Sequence, residues 1–190
     1  MRHIAKLRYS LTAVLLSTVL AHADVSTYED ANGVTVMVYG RVSYGDDEKV
    51  ASEIRAAGPR FNRLELNSWG GSGRTGFALA KYVRKHRTPV YISNRCDSAC
   101  SFAAMVALGQ RTLTVMWWVG QIGVHQAHDD ETLMPDVPWT IDMVGRLRRL
   151  GAPRKLLDAM VATGPFDMTS FDSDDLEPLG AKVRMWWPLE

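Results

Sequence analysis

The chain has 190 residues, 46% of them hydrophobic, and a formal net charge of +1. That length sets one domain as the default and is enough to bury a real core. Balanced, interspersed charge excludes a nucleic-acid footprint. The one dense basic run, Arg146-Leu147-Arg148-Arg149, shares a helical pattern with apolar Met143, Leu147 and Leu150 and reads as a solvated helix face.

The first segment reads as a targeting signal rather than as part of the fold, an uncleaved anchor being the alternative. "MRHIAKLRYS" carries Arg2, Lys6 and Arg8, "LTAVLLSTVL" is an apolar run, and Ala21 and Ala23 form a small-x-small site. This plan predicts a signal peptide over residues 1–23, a single mature domain over 24–190, and a periplasmic or secreted protein. The apolar run is far short of the roughly 20 residues that span a bilayer, so no stable membrane span is expected.

Strands and helices then alternate. "VTVMVYGRV" (34–42) alternates as a strand. "GDDEKVASEIRAAG" reads as a helix capped by Asp46 or Asp47, with Val50, Ile54 and Ala57 on one face and Gly58-Pro59 as its stop. "RLELNS" is a strand with Leu64 and Leu66 inward. "WGGSGRTG" is a glycine-rich turn, "FALAKYVRKHR" a helix, and "PVYIS" a buried strand. A helix that is apolar all round follows, from the serine stretch to Leu108. "TLTVMWW" and "IGVHQA" are strand-like. Residues 140–161 form two helical pieces broken at Gly151-Ala152-Pro153. "SDDLEPLG" is a short acidic-capped helix and "KVRMWW" a terminal strand. This order favours an α/β domain with a mostly parallel sheet.

The chain's two cysteines, Cys96 and Cys100, bracket Ser98 in "NRCDSACSF". Export favours a structural disulfide between them, two buried free thiols being the alternative. The spacing lacks the further ligands of a zinc site and is not that of a redox-active pair. "GSGRTG" (Gly71 to Gly76) fits a dinucleotide fingerprint by letters alone. It follows the second strand, and Asn94-Arg95 stand where the ribose-binding acid belongs. No phosphate-loop Lys-Ser or Lys-Thr is present, and no cofactor is expected. Ser98 opens a buried helix, where it is either a helix cap or a nucleophile beside the free N–H of Ala99. His125 is either a satisfied core residue or a general base.

Four stretches carry a resemblance. "LELNSWGGSGRTGFALAKYV" is similar to the Asn-Ser-Pro-Gly-Gly-Ser segment of the Clp-protease proteolytic subunit. "CDSACSFAAMVALGQR" resembles that family's nucleophile helix, "GVHQA" its histidine strand, and "SDDLEPLGAKV" its final helix. The likeness is greatest to the exported Clp-like branch, in which cysteines flank the serine. It implies a Clp/crotonase-type spiral of β-β-α units with an outlying helical arm. It further implies an ATP-independent serine hydrolase, a peptidase acting on peptides or unfolded segments, with no ATPase partner. Ser98 is then the nucleophile, His125 the base, and Gly71 and Ala99 the oxyanion donors, with Gly70 as the alternative glycine. The orienting acid is Asp167, or Asp172 next. Apolar residues of the arm (Ile141, Val144, Leu147, Leu156, Leu157, Met160) imply a homo-oligomer. Trp69 replaces the family's proline, and Ala99-Cys100 replace its methionine and glycine. The alternative is an inactive member that binds a peptide or protein partner in the same cleft.

Overall fold

The computed structural model describes residues 23–129 and 131–185. Apart from Ala23, the predicted signal segment lies outside these residues, as do positions 186 and 187 of the predicted terminal strand.

The chain opens with a hairpin, β1 (Asp24–Asp30) against β2 (Gly33–Tyr39). Sequence reading misses β1, because its residues are partly or fully exposed and show no apolar alternation. Helix α1 (Asp46–Ala57) follows, then β3 (Phe61–Ser68). The α1 cap is Gly45 rather than an aspartate; the buried Asp46 carboxylate instead accepts from the Ser43 N–H at 2.7 Å. Helix α2 (Gly73–His86) begins four residues before the predicted start. Ser72 explains this, since its hydroxyl accepts from the Thr75 N–H as a helix cap.

Strand β4 (Val90–Asp97) leads through a tight turn, Ser98–Cys100, into α3 (Ser101–Gly109). Strands β5 (Leu113–Met116) and β6 (Gln121–Val124) come next. The arm is α4 (Val137–Leu150) and α5 (Arg154–Ala162), with a break at the predicted Gly-Ala-Pro. Strand β7 (Thr169–Phe171), helix α6 (Ser173–Leu176) and β8 (Lys182–Arg184) complete the order.

One eight-stranded sheet runs β1-β2-β3-β4-β5-β8, with β6 joined to both β4 and β7. All pairings are parallel except β1 with β2 and β6 with β7. Strand β4 forks. Its first half pairs with β5 (Val90↔Leu113 to Ile92↔Val115), and its end pairs with β6 (Arg95↔Gln121 to Asp97↔Gly123). This fork places the segment after β6 beside the segment after β4.

Alternate residues Val36, Val38, Leu64, Leu66, Val90, Ile92, Leu113 and Val115 are buried on the helix-covered face. Helix α3 is buried from Ser101 to Leu108, as its all-round apolar sequence predicts. The arm turns its apolar side inward. Val144, Leu147, Leu156, Leu157 and Met160 join the core, and of the six apolar arm residues expected at a surface only Ile141 is exposed. Among the described residues, no helix is long and apolar enough to cross a membrane.

Candidate active site

The site is assembled from the C-terminal ends of the parallel strands β3, β4 and β6, where open α/β sheets place their ligands. Register does most of the assembly. Ser68 at the end of β3 pairs with Cys96, which sets the following Gly70-Gly71 loop beside Ser98. Asp97 at the end of β4 pairs with Gly123, so the serine turn that follows β4 and the histidine segment that follows β6 leave the sheet side by side.

Ser98 has φ +53, a left-handed conformation that L-residues adopt only under constraint. A serine on a sharp strand-to-helix turn presents its hydroxyl outward. The constraint is visible on both sides. Cys96 and Cys100 form a disulfide across the turn, with Cα atoms 5.1 Å apart. Ser101 Oγ donates to the Ser98 carbonyl at 2.6 Å. The Ser98 hydroxyl caps nothing: the cap position of this turn is Asp97, and it makes no side-chain cap bond.

The glycine loop is seated directly on the serine. Gly70 has φ +100. Gly71 has φ +139 and approaches so closely that a Cβ there would meet the Val42 carbonyl oxygen. The Val42 N–H donates to Gly70 O and the Ser72 N–H to Val42 O, both at 2.8 Å, which fixes the loop. In this bridge the Gly71 N–H faces away from Val42. Gly71, Ser98, Ala99 and His125 all line one cleft of about 160 Å³.

His125 is half-buried just past the end of β6. Its Nδ1 lies 2.6 Å from the Gln126 carbonyl oxygen. A carbonyl can only accept, so this contact requires hydrogen on Nδ1 and leaves Nε2 as the basic nitrogen. Burial holds the imidazole pKa below its ordinary value; the Gln126 carbonyl and the Asp97 carboxylate work against that, and His128 adds to it. The Gln126 N–H donates to Thr163 O at 3.0 Å, tying the histidine segment to the end of α5.

The two expected acids stand apart. Asp167 is exposed, with its carboxylate beside Gly164. Asp172 is exposed, and its carboxylate caps α6 by accepting from Asp174 and Asp175. Neither makes a hydrogen bond to His125 among the described residues, and the one carboxylate that acts on the imidazole pKa, weakly, is that of Asp97. Sequence reading misses Asp97, because a buried acid is recognisable only once its strand partners are known. It also misses Phe102, Trp139 and Met143, which form the apolar wall of the cleft; helical spacing marks them only as core.

No protein-family model and no curated protein matches the chain. Solved structures do. ClpP1 from Listeria monocytogenes matches with a TM-score of 0.57 and 15% identity, over 80% of this chain and 91% of that one. An asparagine-to-aspartate mutant of the same protein matches with a TM-score of 0.59 and 16% identity, over the same shares. The chain therefore has a Clp-protease-like fold, a mixed α/β architecture with a mostly parallel sheet.

Proposed function

We propose that the protein is an exported, ATP-independent serine hydrolase, a peptidase that acts on peptides or unfolded segments. The observation that carries this reading is the convergence of Ser98, His125, Gly71 and Ala99 on one cleft. His125 Nε2 takes the Ser98 proton as Oγ attacks a carbonyl carbon. The Gly71 and Ala99 N–H groups stabilise the oxyanion that develops. The imidazolium then gives its proton to the leaving amine, and water releases the acyl group by the same steps in reverse. Burial keeps His125 neutral and ready as a base at pH 7.

The cleft's size and lining favour an apolar side chain next to the scissile bond. A cavity of about 150 Å³ takes a benzene-sized group, and Phe102, Trp139 and Met143 offer it an apolar wall. The decisive experiment is labelling of the mature protein at Ser98 by a fluorophosphonate probe. Export is checked separately: the intact mass of the exported protein should match a chain that begins at Asp24.

A second reading has its own support. Among the described residues no direct hydrogen bond joins Ser98 to His125, and no carboxylate is bonded to the imidazole. An inactive cleft that binds a peptide would look the same. Such a protein would leave the probe unreacted while retaining peptide affinity.

A further inference from the structure

We infer that Asp97 is the carboxylate of this site, a positioning residue that supports the His125 imidazolium as it forms, in the place expected for Asp167 or Asp172. The inference rests on the hydrolase reading and deepens it.

The Asp97 side chain is fully buried. A buried carboxylate is costly unless it is paired, and here the pairing is one-sided. Arg95, two residues earlier on the same strand, directs its guanidinium at one oxygen only, with Nε donating to Oδ2 at 2.6 Å. The other oxygen, Oδ1, has no hydrogen-bond partner among the described residues.

The direction of Oδ1 follows from the strand pairing. Asp97 sits opposite Gly123, and a Cβ on Gly123 would fall 2.3 Å from Oδ1. The carboxylate thus fills the space that a side chain at position 123 would need. His125 comes two residues after Gly123, just past the end of β6. The unpartnered oxygen thus lies against β6 at Gly123, on the strand that leads into the base.

Among the described residues, the other groups beside Gly123 and Val124 carry no charge. Strand β7 sets Thr169 opposite Val124, and the Thr169 hydroxyl is shared with Thr163 at 2.6 Å. Met168 lies beside the same Gly123 position and is neutral. Among the described residues, the charged or titratable groups that act on the His125 charge are His128, from the loop that follows, and, more weakly, Asp97 from β4. A negative charge at Asp97 favours the imidazolium, and the Arg95 guanidinium tempers that charge.

The test is a proton-NMR titration of His125 in the folded wild type, Asp97→Asn and Arg95→Gln, with probe-labelling rates followed across pH. Asp97→Asn should lower the His125 midpoint, since it removes a charge that favours the imidazolium. It should also slow labelling at pH 8 by about tenfold or more. Arg95→Gln, at a partly exposed position, should move the midpoint upward. If Asp97→Asn does not fold, the Arg95→Gln shift alone decides. A His125 midpoint unchanged in every folded variant overturns the inference: Asp97 is then only the buried partner of Arg95. A wild type that titrates as expected but never labels overturns the hydrolase reading and leaves the Asp97–His125 coupling standing.

Discussion

A Cβ placed on Gly70 would stand 2.5 Å from the Ser98 Cβ and 3.1 Å from its Oγ. The glycine loop and the serine turn are thus in contact over the very atom proposed to react. Position 70 also has φ +100, which an L side chain rarely adopts. Gly70→Ala should therefore cost about 1–3 kcal/mol of stability. It should reduce Ser98 labelling by more than tenfold, because the loop that carries the Gly71 N–H must move away. Thermal melting and labelling rates on the same sample separate the two effects. Full labelling in Gly70→Ala would show that the loop does not set the site.

The Cys96–Cys100 disulfide closes a very small loop. Chain-entropy arguments give such a loop about 2 kcal/mol at most. Its larger consequence is local, since both cysteines are buried on either side of a left-handed serine. The double variant Cys96→Ala/Cys100→Ala should stay folded and lose only a few degrees of melting temperature. Its labelling at Ser98 should fall several-fold, because the turn can relax toward ordinary φ values. Equal labelling in the two proteins would reduce the bridge to a stability element.

What the sequence made legible follows the strength of the local signals. The β2, β3 and β4 strands, the buried α3 helix and the Gly-Ala-Pro break between α4 and α5 all carry periodicity or strong breakers. Strand β1 is exposed and polar, and β7 has only three residues, so neither has a pattern long enough to read. Ser98 and His125 stood out through a resemblance rather than through their own surroundings. Their closeness depends on the fork of β4, which pairs with β5 and then with β6, and no periodicity encodes that. The same gap hid Asp97, whose neighbour Gly123 is 26 positions away in the chain. The resemblance points to an acid near α6, and it does so by order along the chain. In the fold, Asp172 is consumed as a helix cap.

Self-association remains the expectation, with a different surface. Most of the arm's apolar residues are in the core, but Leu133, Met134, Val137 and Ile141 are exposed on and just before α4. A cluster of that kind on one segment is more than scattered surface residues usually make. Light scattering at micromolar concentration should give a mass above that of the monomer. Ile141→Glu should lower it, with thermal stability unchanged. A wild-type monomer across that range would count against the proposal.

The last prediction concerns Ser98 itself. An unassisted serine hydroxyl is a poor nucleophile, so labelling by a fluorophosphonate needs His125 as base. Ser98→Ala should abolish labelling, and His125→Ala should slow it by about 10²-fold or more. Asp167→Asn and Asp172→Asn should stay within about twofold of wild type, since both carboxylates are exposed and neither is bonded to the imidazole. The pH profile has a sign that burial dictates. His125 is a base only when unprotonated, and burial places its pKa below the ordinary 6.5. Labelling should therefore be level between pH 7 and 9 and decline only below about pH 6.5, as the imidazole takes up its proton. An acid limb centred above pH 7 would mean that the imidazolium is favoured overall, which the desolvated position of His125 opposes. A folded wild type that resists the probe from pH 7 to 9 would falsify the hydrolase reading. The strained serine, the glycine loop and the apolar wall would then describe a peptide-binding cleft.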